Sequence, residues 1–368
     1  MNNTKKRKTK KRKRKPNIGR IFIIIAVVLL LIVGILGISY AVGKYFAGEY
    51  LLTSVEDIKI DSETAVAIEI PQGATTRDIA EILKKNNIIS SEFSFRLKSK
   101  LNGGDGNYTY GIYMLSPNLT NDEIIALLQQ KPNYTSDYKL TIPEGYTLVR
   151  IASLVDEMGF VTKEDFISEA NNGTFEYDFL EGIPKREYYL EGYLFPDTYY
   201  LTGEETAHDI IVMLLNRFQT IYNRSVKSGL ENSNYTLDEI LIIASMIEGE
   251  AMIDSERAIV AGVIYNRLGI DMPLQIDATI QYALGDRKAV VTYDDLKIDS
   301  PYNTYLNNGL PVGPICNPGE ASLIAAINPE NHNYYYYVLK EYGSFEHVFT
   351  ETYDQFLVAK EAYNNSRQ

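Results

Sequence analysis

An eleven-residue segment of this chain occurs twice, and the duplication restricts the possible folds more than any other feature. Ile70-Pro-Gln-Gly-Ala-Thr-Thr-Arg-Asp-Ile-Ala80 returns 72 residues later as Ile142-Pro-Glu-Gly-Tyr-Thr-Leu-Val-Arg-Ile-Ala152, with Ile, Pro, Gly, Thr, Ile and Ala unchanged. A strand-like stretch leads into each copy, over 65–70 and 139–142. Pro-x-Gly then predicts a turn, because proline presets one φ angle and glycine accepts a left-handed one. Thr75 and Thr147 stand where a helix N-cap is needed, with a hydroxyl oxygen to accept a free backbone N–H. Ser90-Ser91-Glu92 and Thr162-Lys163-Glu164 start a second helix in each copy. Both copies therefore read strand, turn, helix, helix. Between them, 111–117 reads as a strand and 121–130 as a short helix capped at Thr120.

Charge divides the chain very unevenly. Residues 1–20 hold eleven of the 36 Lys and Arg and no acid, which leaves 25 basic against 48 acidic residues, a net of −23, in the rest. Residues 21–43 then run for 23 positions without a charge. As a helix this run is roughly 35 Å long, enough to cross a bilayer. It predicts a single transmembrane helix, with the basic tail (1–20) in the cytoplasm and a stalk (44–63) leading to an external portion. A cleaved signal peptide is the competing reading, but the run is long for one and Ser39-Tyr40-Ala41 is a poor cleavage site. The tail suits anionic lipid, and the acidic remainder argues against a nucleic-acid partner. Cys316 is the one cysteine, and His208, His332 and His347 are widely separated, so neither a disulfide nor a metal site is expected. A serine-hydrolase elbow is missing as well.

From Tyr188 the character changes. Residues 191–201 are aromatic and broken by proline, which suits a loop or short strand. Helical periodicity follows over 207–226, 237–250 and 255–268, with shorter helices over 276–284 and 320–327. Two strand-like segments, 334–339 and 347–350, precede a last helix near Thr352. The expected fold class is α+β: the membrane helix, a repeat region over 64–187, and a mainly helical domain over 188–368 with a small hairpin.

Within this last part, Leu241-Ile-Ile-Ala-Ser-Met-Ile-Glu-Gly-Glu-Ala251 sets two carboxylates at the end of an apolar helix. Buried carboxylates lose hydration unless paired, and a buried acid that stays protonated near neutral pH can donate to a leaving group. Glu248 and Glu250 lie two positions apart, about 200° around a helix, so they cannot work as a matched pair. Periodicity does not choose between them, and a solvated helix end remains open for both. Gln275, Asp277 as a possible cap, and the stiff loops Tyr302-Asn-Thr-Tyr305 and 309–315 add amides, hydroxyls and rings of the kind found in carbohydrate sites. Ordinary loop capping explains any one of them as well.

Six runs together resemble one family. They are Glu191-Gly-Tyr-Leu-Phe-Pro-Asp-Thr198, the segment ending in Glu248-Gly-Glu250, Val263-Ile-Tyr-Asn-Arg-Leu268, Leu274-Gln-Ile-Asp-Ala-Thr279, Tyr302-Asn-Thr-Tyr305 and Gly309-Leu-Pro-Val-Gly-Pro-Ile315. In this order they resemble the endolytic murein transglycosylase, or YceG-like, family, and the two copies are similar to small LysM-like modules that bind glycan. The resemblance implies a lytic transglycosylase anchored in the cell membrane with its catalytic domain outside. It would cut the MurNAc–GlcNAc β-1,4 bond within nascent peptidoglycan strands, leave 1,6-anhydro-MurNAc ends and so terminate glycan polymerisation. No cofactor is implied; peptidoglycan strands are the expected partner, with wall-synthesis enzymes beside them. Glu250 matches the family's catalytic acid, with Gly249 where Lys is common and Ala251 in place of a hydroxyl residue. Glu248, Gln275, Asp277, Tyr302, Asn303 and Thr304 are the implied supporting or sugar-binding residues. The reading from another class is a non-catalytic wall-binding scaffold that recruits elongation or division proteins.

Overall fold

The computed structural model describes residue 55 and residues 58–367, apart from 63, 286, 287 and 289. The duplication is visible at once. In the first copy, β1 (Val66–Ile70) turns at Gly73, whose φ of 81° is left-handed, into α1 (Thr76–Lys85). Thr75 caps that helix: its hydroxyl accepts from Asp78 N at 3.2 Å while the Asp78 carboxylate accepts from Thr75 N at 2.8 Å. Next comes α2 (Glu92–Leu101), capped by Ser91, and then β2 (Gly111–Leu115), which returns antiparallel to β1 with Ile68 opposite Tyr113. The copy ends in α3 (Asn121–Leu128), capped by Thr120.

The second copy repeats this order. It runs through β3 (Tyr138–Thr141), α4 (Leu148–Asp156) capped by Thr147, and α5 (Lys163–Asn172) capped by Thr162. Its closing strand is β4 (Thr198–Leu201), antiparallel to β3 with Leu140 opposite Tyr199, and α6 (Ala207–Ile221) follows under a Thr206 cap. Each copy is therefore strand, helix, helix, strand, helix. The second return strand comes from the aromatic segment after Pro196, on the far side of the composition change at Tyr188.

From α6 the chain winds through a π-turn (Tyr222–Val226) into α7 (Lys227–Leu230). Then come α8 (Leu237–Glu250), α9 (Asp254–Gly269), α10 (Asp277–Leu284) and α11 (Glu320–Ile327). A hairpin of β5 (Tyr336–Leu339) and β6 (His347–Thr350) and a final α12 (Tyr353–Asn365) complete the chain. Every residue of α8 from Ile240 to Ile247 is buried, as a helix that is apolar all round must be. It sits at the centre of one hydrophobic core that runs from Leu140 of the second copy to Ala326 of α11. None of the buried residues of the first copy belongs to that core; Ile79, Leu83, Phe95, Tyr113 and Leu128 pack a smaller one of their own.

The α+β, mainly helical architecture agrees with the sequence, but the expected fold class needs one correction. Among the described residues no helix is long and apolar enough to cross a membrane. The run at 21–43 assigned to a transmembrane helix, with the tail before it, lies outside the described residues.

Candidate active site

α8 ends at Glu250 because Ala251 leaves helical geometry, at φ −98° and ψ 108°. Helix geometry sends the two carboxylates apart, as their spacing requires. Glu248 turns into the protein, where its Oε2 accepts from Gly319 N at 3.1 Å and Ser322 Oγ at 2.8 Å and faces Arg257 Nη1 at 3.2 Å. Both members of this ion pair are buried. Such a carboxylate is tied down rather than available for chemistry.

Glu250 turns the other way and keeps part of its surface open. Its Oε1 accepts from Ala278 N at 3.2 Å and its Oε2 from Tyr337 OH at 3.0 Å. Crowding by protein atoms raises its pKa above the ordinary carboxylate value, and the negative charge of Asp277 adds to the rise. The bonds from Ala278 and Tyr337 and the charge of His347 oppose it without reversing it. A carboxyl group in this state holds its proton longer as pH increases.

Two pieces of chain have to meet for Glu250 to gain its bond from Ala278 N. Gly249 allows the first: a Cβ there would lie 2.7 Å from the Ala278 methyl, so only a bare backbone lets the first turn of α10 close on α8. The loop before α10 is held from behind by Thr304. Gln275, at a left-handed φ of 49°, donates its N–H to Thr304 O at 3.1 Å, and Ile276 N donates to Thr304 Oγ1 at 3.0 Å. Buried Asn303 fixes the segment 296–305 that carries Thr304, by donating to Leu296 O at 3.0 Å and Ile298 O at 2.8 Å and accepting from Tyr305 N at 2.9 Å.

Of the residues singled out in the sequence, Gln275 and Asp277 are exposed, and Asp277 lies beside Glu250. Asp277 does not cap α10, since Ile276 holds that position without a side-chain bond; the Asp277 carboxylate instead accepts from Tyr305 OH. Asn303 and Thr304 are buried, and hold the segment 296–305 and the loop before α10 in place. Tyr302 is buried in the main core, its ring 4.7 Å from that of Tyr282. No group of His, Cys, Asp or Glu suited to a metal ion occurs among the described residues.

The apolar helix α8 thus ends in one crowded carboxyl of raised pKa, held by Ala278 and Tyr337. The YceG-like family model matches residues 68–362. The chain belongs to the YceG-like family. It is 36% identical to the endolytic murein transglycosylase of Bacillus subtilis over 88% of its own length and 91% of that protein. With the Streptococcus pneumoniae protein of the same name it is 33% identical over 80% of its length, but spans only 58% of that longer chain. A YceG-like protein from Listeria monocytogenes, solved by crystallography, matches with a TM-score of 0.55 and 34% identity, covering 81% of this chain and 99% of that one.

Three residues of this YceG-like chain matter at the site without having stood out in sequence. Tyr337 comes from β5, 87 residues beyond Glu250, and nothing separates it in sequence from its neighbouring tyrosines. Arg267, the fifth residue of the run Val263–Leu268, helps to hold the hairpin there. This buried guanidinium donates to Tyr335 O and Leu274 O, both at 2.6 Å, and so bolts the hairpin to the loop that precedes α10.

Glu191 is the third. It is fully buried, and both its oxygens accept from Leu148 N at 3.0 Å; Asn317 Nδ2 donates to it at 2.9 Å and Tyr282 OH at 3.2 Å. Asn317 in turn accepts from Gly192 N at 3.0 Å and Leu194 N at 2.8 Å. This knot joins the turn of the second copy, the segment leading to β4, and α10. Burial raises the Glu191 pKa to about 7 despite these donors.

Proposed function

We propose that this chain is an endolytic peptidoglycan transglycosylase that cuts the MurNAc–GlcNAc β-1,4 bond within glycan strands and leaves a 1,6-anhydro-MurNAc end. The observation that carries the proposal is the setting of Glu250: a single carboxyl on a half-buried residue at the end of α8, held by Ala278 N and Tyr337 OH, with its pKa raised by crowding and by the charge of Asp277. The names of the relatives and the extent of the match support the same reading.

A protonated Glu250 gives its proton to the glycosidic oxygen as the bond from C1 breaks. The C6 hydroxyl of the same sugar then bonds to C1 and passes its proton to the Glu250 carboxylate, which restores the acid. The N–H of Ala278 and the hydroxyl of Tyr337 hold the carboxylate during the interval when it is charged. A two-carboxylate hydrolase would need a second carboxylate free to activate water. Glu248 is committed to Arg257, and Asp277 to Tyr305.

The substrate is made at the outer face of the cell membrane, so we expect the enzyme there. The basic stretch and the uncharged run at 21–43 support that location, and membrane fractionation checks it. The strand–helix–helix–strand order of the first copy supports a LysM-like role in holding glycan. The deciding experiment treats purified peptidoglycan with the full chain and with Glu250→Gln, and weighs the products by mass spectrometry. Anhydro-ended fragments from the parent alone support the proposal. Products heavier by one water indicate hydrolysis, and no products indicate a scaffold; either outcome overturns it.

A further inference from the structure

Helix α2 buries only Phe95 and Ser99. Away from that side, Phe93, Leu97 and Leu101 are 74%, 48% and 56% exposed. Spaced four apart, they form one ridge along about 12 Å of helix. Arg96 and Lys100 are exposed along one edge of the ridge, and neither is in an ion pair among the described residues. Lys98 leans back onto Asp122, and Glu92 is the only acid of the helix.

We propose that this face of α2 is a membrane-contact surface that lies on anionic phospholipid, with Phe93, Leu97 and Leu101 entering the acyl boundary while Arg96 and Lys100 meet lipid phosphates. Charge favours this occupant. Beyond residue 20 the chain carries a net −23, so an anionic surface repels most of it. The ridge is one place where exposed cations and exposed apolar groups lie side by side. Long basic side chains flanking an apolar stripe can extend to phosphates while their stems stay on the apolar surface.

Shape favours it too. Three side chains cover a small part of the roughly 1,000 Å² that a stable protein interface needs, whereas lipid deforms around a single ridge. The polar hollow nearby, lined by Lys84, Asn87, Ser90 and Asn121, includes none of the three. The proposal is independent of the chemistry assigned to Glu250.

The test uses the full chain with Leu101→Cys carrying a polarity-sensitive fluorophore; Cys316 is buried and stays unlabelled. A second sample carries the label at Arg77→Cys, exposed on α1. Each is mixed with vesicles of phosphatidylcholine alone or with an equal share of phosphatidylglycerol, containing lipids brominated on the acyl chains. The expected result is a blue shift and quenching at position 101, on the anionic vesicles only, with position 77 unchanged. Arg96→Glu with Lys100→Glu weakens that response at least roughly tenfold in lipid concentration, since each cation near such a surface contributes roughly fivefold. Equal response on both vesicle types, equal response at both positions, no response at 101, or a shift that appears with protein concentration in the absence of lipid would each overturn the proposal. The last outcome would point instead to a second copy of the chain as the occupant.

Discussion

Gly249 and Ala278 fit against each other so closely that neither can grow: a methyl group on Gly249 would lie 2.7 Å from the one on Ala278. This contact sets the distance between α8 and α10, and with it the bond from Ala278 N to Glu250. Gly249→Ala should cost about 1–3 kcal/mol through overpacking and lower kcat/KM by at least about tenfold. Adding Ala278→Gly should restore much of both. Urea denaturation and turnover on glycan oligomers check the pair, and a double variant no better than the single one would show that this contact does not govern the site.

Replacing the acid itself removes proton donation. Glu250→Gln should reduce kcat by about 10²–10⁴-fold with the fold intact, as measured by circular dichroism and anhydro-product release. A loss smaller than tenfold would assign the proton to another group.

The pH profile offers a sharper measurement, because two neighbours act on Glu250 with opposite sign. Activity requires the neutral acid, so kcat/KM declines as pH rises and Glu250 ionises. Asp277→Asn removes a negative charge that favours the neutral form, and should move the alkaline limb to lower pH. Tyr337→Phe removes a donor that favours the carboxylate, and should move the same limb to higher pH. Shifts in a common direction would contradict this account.

Glu248 should matter for stability instead. Glu248→Gln leaves Arg257 buried beside Asp254 alone, and removing one partner of a buried pair costs about 3–5 kcal/mol. Turnover per folded molecule should stay within a fewfold of the parent. A variant as stable as the parent but inactive would give Glu248 a place in the chemistry.

Glu191 carries its own pH dependence. The unfolded chain releases this proton near the ordinary 4.5, the folded chain near 7. Between those values the folded state binds more protons, so its stability falls as pH rises and levels off above about 7, by an amount on the order of 3 kcal/mol. Denaturation at pH 5 and pH 8 should show that decline in the parent and its absence in Glu191→Gln. An equal decline in both would remove Glu191 as its source.

Most of the fold was legible because its signals are local. Thr75, Thr120, Thr147 and Thr162 cap helices where the sequence suggests, and the bounds of α8 match the periodicity. The divergence of Glu248 and Glu250 also follows from helix geometry alone. What escaped depends on contacts between distant segments. Tyr337 reaches Glu250 from 87 residues away, on a hairpin that Arg267 and Asn266 tie down, and the pairing of β3 with β4 spans 57 residues between Thr141 and Thr198. Asn303 and Thr304 resemble sugar-binding groups in composition but are buried as scaffolding, a distinction that only packing reveals.

That β3–β4 ladder also determines how such a chain can be recombined. The first copy closes on its own strands and its own buried residues, so a cut between α3 and β3 leaves both β ladders whole and breaks only side-chain ties such as Tyr200 to Glu69. The second copy borrows its return strand from the segment that holds Glu191. A cut near residue 187 would strand β3 without a partner and open the core around α8, so that copy is inherited with the active site or not at all.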